Sequence, residues 1–456
     1  MGLFAKKKPL VVEAPLDLKA RGGSDAENAQ REIASRQLEA IVPTKELLYD
    51  ALSKRVERIM LDYTREAVTG RYMIDGMWHN TDPRDRVTGD AILVVLKTLS
   101  GLNTEERRNR QDGKFAAEHT TTKAKFVGEI TTQGVKTGER VIIDLKPKKP
   151  RALKTLEDLG LREQMQEKIR EHMKTHSGLV LVSAPPGNGF TTTWNIVLNC
   201  TDRLLRDFSG VEDKVKHETT AENVNLTTFD GAAGETPDSV LHKLMLRQPD
   251  AVVVPDLCNA ATVNELCELA TDPSEPRLIV AGVRAKDCCE ALLRVLLLKA
   301  DPTLFAQAIV SVLNVRLVRK LNDTCKQAYQ PPPQLLAKLG IPPGRVKALY
   351  REWTPPPPLT PEEEKRQRKE ILPPGACPLC RLEGAHCNGI GYRERTGIFE
   401  LLELNDQLRE ALIKQPKLEV LRSVARATGN RSLQDEGILL VAKGVTSLNE
   451  LQRIMK

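Results

Sequence analysis

Three short runs without a charged side chain dominate the second half of the chain: Leu179-Val180-Leu181-Val182, Ala251-Val252-Val253-Val254 and Leu278-Ile279-Val280-Ala281. Each reads as a strand buried on both faces. Helical stretches lie between them, and strands that alternate with helices imply a wound, mostly parallel α/β sheet. The alternation begins at residue 151 and predicts a domain over 151–321.

The flanking segments have a different texture. Residues 1–42 are polar, interrupted by Gly22-Gly23, and predict a flexible tail with a short helix. Residues 43–150 predict a smaller α+β domain. Leu47, Leu48, Ala51, Leu52 and Val56 recur at helical spacing, and Arg71 to Gly76 reads as a strand entering an Asp-Gly hairpin turn. Residues 125–145 alternate apolar and polar around a turn at Gly138, which predicts further strands. Residues 322–395 are Pro-rich and contain cysteines. Pro331 to Pro333 and Pro355 to Pro358 bracket an extended connector, and Glu362 to Glu370 predicts an exposed helix. Residues 396–456 predict a helical C-terminal region ending in Leu448 to Met455. No internal repeat is present.

Composition narrows the function classes. The 456 residues leave room for about three domains. Hydrophobic residues at 40% and charged residues at 28% exclude a wholly disordered chain. Aromatics at 4% make the cores aliphatic. A net charge of +7 is far from the footprint of a dedicated nucleic-acid binder, and no basic-aromatic interleaving points to a nucleic-acid partner. No apolar run approaches the ~18–20 residues of a membrane helix; Pro185, Pro186, Gly187 and Gly189 break the uncharged stretch from Ser177 to Thr201. The start is too short and too quickly polar for a signal peptide, and Lys6 spoils a myristoylation pattern. Nine scattered cysteines argue against a disulfide framework and for a reducing, cytoplasmic compartment. The three lysines at 6–8 offer only weak attraction to an anionic membrane surface.

The segment with the most chemistry is Ala184-Pro185-Pro186-Gly187-Asn188-Gly189-Phe190-Thr191-Thr192-Thr193. It follows a buried strand and opens a helix. Glycines there let backbone amides close around a phosphate at a helix N-terminus. Gly187, Asn188, Gly189, Thr191 and Thr192 are the candidate nucleotide-binding residues, with Thr191 in the hydroxyl slot. Ala184 replaces the first glycine of the phosphate-loop pattern, and Phe190 stands in the lysine slot.

From about residue 45 onward the chain resembles the ATPases of type II secretion and type IV pilus assembly. The resemblance rests on Arg107 to Lys114, Gly138 to Val141, the loop at 184–193, Val211-Glu212-Asp213, Leu246 to Asp250, Arg316 to Leu321, Gly391 to Leu402, and Arg431 through Leu448, all in the family's order. It implies a RecA-like P-loop NTPase core, ATP hydrolysis by a ring (usually a hexamer), and work alongside inner-membrane platform proteins. It also implies roles for particular residues. Glu212 keeps the acidic box. The glutamate after the second buried strand corresponds to Asp256, one methylene shorter. The two histidines of the histidine box correspond to Arg277 and Arg284. Arg107 and Arg108 persist as inter-subunit arginines, whereas Glu129 stands where an arginine is usual.

These departures cluster on catalytic parts. A charge-assisted hydrogen bond to phosphate contributes roughly 1.5–3 kcal/mol, about 10–150-fold in affinity. Losing the lysine weakens ground-state binding and removes charge stabilisation from the transition state. The resemblance therefore implies a degenerate site with Glu212 and Asp256 as its catalytic remnants, Mg-ATP held weakly or not at all, and a structural or regulatory subunit of a homo- or hetero-oligomeric ring, cytoplasmic or peripheral to the inner membrane. The alternative is a slow ATPase with an atypical lysine supplied from elsewhere, such as Lys214 or Lys216. Family members that dock on the inner membrane often carry a further N-terminal domain, and only about 42 polar residues precede the matching region here.

Cysteines form the second constellation. Cys377 and Cys380 make a CxxC, with His386 and Cys387 close behind. The family carries two CxxC pairs that hold zinc; the first corresponds to Asn322 to Cys325, so one ligand is missing, and Cys387 lies in a longer segment after the second. A tetrahedral Zn²⁺ on Cys325, Cys377, Cys380 and Cys387, with His386 as the alternative fourth ligand, follows. Cys200, Cys258, Cys267, Cys288 and Cys289 read as small buried hydrophobes.

Overall fold

The computed structural model describes residues 14–148, 153–354, 380, 382, 387 and 389–456. The chain divides into two compact units, residues 1–152 and 153–456.

The first unit is built on an eight-stranded antiparallel sheet of β1 (Leu16–Ala20), β2 (Arg58–Tyr63), β3 (Ala67–Ile74), β4 (Met77–Asn80), β5 (Arg84–Asp85), β6 (Gln111–His119), β7 (Lys125–Val135) and β8 (Gly138–Pro147). The spatial order is β1-β6-β7-β8-β2-β3-β4, with β5 paired to β3. Burial alternates along the strands, as a sheet with one covered face requires. Helices α1 (Asp25–Gln37), α2 (Ile41–Ser53) and α3 (Arg86–Ser100) accompany the sheet, and Leu47, Leu48, Ile59, Leu61, Ile92, Leu96 and Phe115 are buried. Asp75 and Gly76 both take positive φ, 49° and 77°, which is the two-residue turn expected between β3 and β4. Lys97 and Glu139 form a buried ion pair at 2.7 Å that ties α3 to the start of β8.

The expectation of a flexible tail over 1–42 fails for its described part. Leu16 to Ala20 pair with β6, from Leu16 opposite His119 to Ala20 opposite Phe115. Leu16, Leu18 and Ala20 are buried, and Glu32 of α1 accepts the Ala20 amide at 3.1 Å. Alternating apolar side chains at the sheet edge outweigh the polar composition of the segment.

The second unit holds a seven-stranded sheet: β9 (Gly178–Ser183), β10 (Phe208–Asp213), β11 (Val224–Phe229), β12 (Ala251–Val254), β13 (Leu278–Val283), β14 (Ile309–Leu321) and, after the short hairpin β15 (Gln327–Tyr329) and β16 (Leu349–Arg351), the long β17 (Tyr392–Glu403). The order is β11-β10-β12-β13-β9-β14-β17, parallel throughout except for the antiparallel last pair. The three uncharged runs are β9, β12 and β13, fully buried. Helices cover both faces. Val180 and Val182 of β9 join the core with Met165 and Ile169 of α4 (Glu163–Lys174) and Trp194 and Val197 of α5 (Phe190–Asn199). Leu179 and Leu181 face the other core, with Leu241 of α6 (Pro237–Met245), Leu266 of α7 (Ala260–Thr271), Leu292 of α8 (Cys288–Leu297) and Phe305 of α9 (Pro302–Ala308). This is the expected RecA-like α/β core.

Three details differ from the sequence reading. The region 396–456 does contain helices, at Asp406–Lys414, Leu418–Ala427, Leu433–Ala442 and Leu448–Met455, but it opens within β17, the sheet's edge strand. The segment after Pro332 is not wholly extended, since Pro333–Lys338 is a short helix, α10. Pro355 to Pro358 and Glu362 to Glu370 lie outside the described residues. Finally, Cys267, Cys288 and Cys289 are buried, but Cys200 is half-buried and Cys258 is exposed in the connection from β12 to α7. Among the described residues no helix is long and apolar enough to cross a membrane.

Candidate functional site

The glycine loop leaves β9, the strand between β13 and β14, and enters α5. Gly187 and Gly189 take φ of 73° and 84°, a conformation that side chains with a Cβ rarely adopt, and Gly189 starts α5 with no side-chain cap. The first-turn amides of a helix have no internal partner, so they face the loop as open donors. Asn188 fastens the loop to the sheet: its Oδ1 accepts the Leu317 amide of β14 at 3.1 Å, and its Nδ2 donates to the Pro186 carbonyl at 3.1 Å. Thr191 and Thr192 are both exposed on the first turn of α5.

Phe190 points inward. Phe190 is 4% exposed, its ring stacks on Trp194 with centroids 5.7 Å apart, and the ring tip abuts Gly282, where a Cβ would come within 2.6 Å of Cζ. The Arg284 guanidinium covers its other side, 3.5 Å from the ring centroid. A cation therefore stands beside the loop, but it is committed elsewhere. Arg284 donates to the Glu218 carboxylate, and the Thr191 hydroxyl donates to the same carboxylate. The Glu218 main chain is pinned as well: its carbonyl accepts Asn195 Nδ2 at 2.7 Å.

Glu212, at the end of β10, is 1% exposed, and its oxygens accept the amides of Thr219 at 2.7 Å and Glu218 at 3.4 Å. It braces the segment that carries Glu218, helped by the 2.8 Å bond from Trp194 Nε1 to the Thr219 hydroxyl. Asp256 lies just past β12; the surrounding protein pushes its carboxyl up from the usual aspartate range, against the opposing pull of Arg284 and Lys216. Arg277 sits apart, donating to the Pro249 carbonyl at 2.9 Å and pairing with Glu275. Lys214 is drawn to Asp230 at 3.7 Å. The amides and Thr191 thus fit a phosphate and its Mg²⁺, while the Glu218 carboxylate at Thr191 opposes both the phosphate and the release of Arg284.

In the first unit, Arg107 and Arg108 line an open cavity of about 970 Å³ together with Arg65, Arg86 and Lys136. Arg107 and Arg86 share Asp90, at 3.0 and 2.8 Å, whereas Arg108 is exposed. Glu129 pairs with Lys146 at 2.6 Å and Lys114 at 3.2 Å.

Cys325, Cys380 and Cys387 come together, their sulfurs all within 4.8 Å of one another and 3.6 Å apart for Cys380 and Cys387. Tetrahedral Zn²⁺ with bonds of about 2.3 Å sets sulfurs about 3.8 Å apart, so the three thiols fit that metal. Burial, and then the neighbouring thiols of Cys387 and Cys380, push the Cys325 thiol up. Cys377 and His386 lie outside the described residues.

Comparison with known proteins decides the family. The model of the type II/IV secretion system proteins matches residues 34–453. The chain belongs to this family. It is 24% identical over 443 residues to the type IV pilus assembly ATPase PilB of Thermus thermophilus, covering 94% of this chain but 46% of that protein. It is 27% identical over 409 residues to the protein transport protein HofB homolog of Escherichia coli, covering 90% of this chain and 80% of that one. In structure it is similar to the ATPase DotB of Legionella pneumophila, with a TM-score of 0.55 at 11% identity over 91% of this chain and 95% of that one.

Against this secretion-family background the sequence alone missed Glu218. Nothing near residue 218 announces that it takes the hydroxyl of Thr191 and the guanidinium of Arg284, because both partners are remote in sequence. His172 was missed for the same reason: it is buried with its Nδ1 3.0 Å from the Ser311 hydroxyl, and burial pushes the imidazole below its usual range.

Proposed function

We propose that this chain is a catalytically degenerate member of the type II/IV secretion family, a subunit that keeps the nucleotide-site scaffold and fills a structural or regulatory place in a secretion or pilus-assembly ring. The observation that carries the proposal is the inward Phe190, locked between Trp194, Gly282 and Arg284 where a lysine would reach a phosphate. Gly187, Gly189 and Thr191 would hold whatever nucleotide binds, with Asn188 bracing the loop and Thr192 beside it. A magnesium nucleotide would bring a phosphoanhydride that this site, on the present reading, does not cleave. Asp256 and Glu212 are the acidic remnants, and Glu212 is engaged in bracing the Glu218 segment.

Assembly follows the family pattern: a ring of this chain or of this chain with an active relative, hexameric by resemblance, at the cytoplasmic side of inner-membrane platform proteins. The arginine-lined cavity of the first unit, with Arg108 exposed, suits a neighbouring subunit's nucleotide. Purified protein is expected to release phosphate from Mg·ATP no faster than its Thr191→Ala variant. Turnover well above that variant would instead establish the slow-enzyme alternative, which the nearness of Arg284 to the loop favours over Lys214 or Lys216.

We further propose that Zn²⁺ sits on Cys325, Cys377, Cys380 and Cys387, with His386 the alternative to the fourth thiolate. Metal analysis is expected to find one equivalent per chain, lost in Cys380→Ser; less than half an equivalent in the unaltered protein would exclude the site.

A further inference from the structure

On the α8 side of the second unit's sheet lies a cavity of about 240 Å³, below the ~300–1,000 Å³ typical of drug-sized ligand pockets. Its charges do not balance. Lys286, Arg316, Arg422 and Arg426 line it, against Asp287 and Glu400. Asp287 is taken by Arg422. Glu400 is 5% exposed; burial pushes its carboxyl up to about 7, so it offers only part of a charge at neutral pH, and its Oε2 already accepts the Cys288 amide at 3.0 Å.

Arg316 is the least compensated group. It is half-buried on β14, and its Nε is buried with no hydrogen-bond partner. Among the described residues neither it nor Lys286 nor Arg426 forms an ion pair. Burial works against the Arg316 charge and the carboxylates of Asp287 and Glu290 support it only without direct contact, so an anion that reaches the guanidinium recovers part of the cost of enclosing it. The placement also suits a ligand. Asn314 of β14 lies opposite Ser183, the last residue of β9, so Arg316 projects past the carboxyl edge of the parallel strands, where open α/β sheets bind their ligands. Leu317 touches Gly189 of the nucleotide loop, and successive side chains of a strand point to opposite faces, so Arg316 and the cavity lie across the sheet from that loop.

We propose that this cavity is a second anion site, which takes a small anion bearing one or two phosphoryl groups, gripped by the forked guanidinium of Arg316 with Arg426 and Lys286 closing from the rim. Arginine forks match phosphoryl oxygens in pairs. The site does not depend on the proposed loss of ATP turnover.

The test is calorimetry on the full chain with pyrophosphate and inorganic phosphate at constant ionic strength, in parallel with succinate. Pyrophosphate is expected to bind equally well to the unaltered chain and to Thr191→Ala while responding to Arg426→Gln, and the two results together separate this cavity from the nucleotide loop. Arg426→Gln, at an exposed position, is expected to weaken it tenfold or more, and Arg316→Gln at least as much. Undetectable pyrophosphate binding, binding lost with Thr191→Ala, binding unchanged in a folded Arg426→Gln protein, or succinate bound as tightly as pyrophosphate would each overturn the assignment.

Discussion

Replacing Glu218 with glutamine should turn a poor nucleotide site into a better one. Glu218 is the hub of the loop: its carboxylate receives both the Thr191 hydroxyl and the Arg284 guanidinium. Glutamine keeps the size and an acceptor but discards the charge. Two effects then act in the same direction. A negative charge leaves the mouth of an anion cradle, and Arg284, already over the Phe190 ring, is freed to approach a phosphate. One charge-assisted hydrogen bond gained contributes about 1.5–3 kcal/mol, or about 10–150-fold in Kd. Isothermal titration with Mg·ATP reads the change directly. The companion is Arg284→Gln in both backgrounds, a double-mutant cycle that isolates the coupling between the two side chains. Binding should tighten at least tenfold in Glu218→Gln, and adding Arg284→Gln should erase most of that gain. A folded Glu218→Gln protein that binds Mg·ATP no more tightly than the original would refute the idea that this carboxylate blocks the cradle. A gain that survives loss of Arg284 would leave repulsion as its cause.

Other outcomes follow from the same packing. Phe190→Lys should not restore hydrolysis, because the altered side chain inherits an inward-facing slot; it should lower the melting temperature, as loss of a buried aromatic costs about 3–5 kcal/mol and a lysine stem recovers only part. Turnover appearing in this variant would refute that reasoning. In the C-terminal helix Leu448–Met455, burial pushes the Glu450 carboxyl up, but bonds from Arg453 and Arg319 outweigh it and hold the group at about 2, below its ordinary 4.5. That depression corresponds to about 3 kcal/mol. The contribution is fully present above the unfolded value and disappears as pH falls through the folded one. Glu450→Gln should therefore melt below the original protein at pH 7, with the gap closing between about pH 4.5 and pH 2; a gap independent of pH would count against the pairing.

Much of this architecture was legible in the residues. The strands β9, β12 and β13 announced themselves because burial on both faces leaves no place for a charge. The Asp75-Gly76 turn was legible because few other pairs accept two positive φ values in succession. The thiols at Cys325, Cys380 and Cys387 could be grouped across a long gap through the family pattern. What escaped notice falls into two kinds. Leu16-Asp17-Leu18-Lys19-Ala20 alternates as a strand should, but its neighbours are so polar that average composition masked a period-two signal. The Thr191, Glu218 and Arg284 cluster left no local trace at all, since the fold alone brings the ends of β9, β10 and β13 together. Phe190 could be seen to be wrong for a lysine slot, but not that it would be buried.

The pairing of β14 with β17 has a consequence for how this chain tolerates change. Leu321 lies opposite Tyr392, so residues 322–391, cysteines included, leave and rejoin the sheet at a single point. An excursion whose two stems already meet can grow or shrink with only a logarithmic entropic cost. Its length can therefore change with the parallel strands left intact, but not at every point: Leu349 of β16 is buried in one core with Val318 of β14, Ile398 of β17 and Leu451, so an engineer's reporter module belongs away from that hairpin.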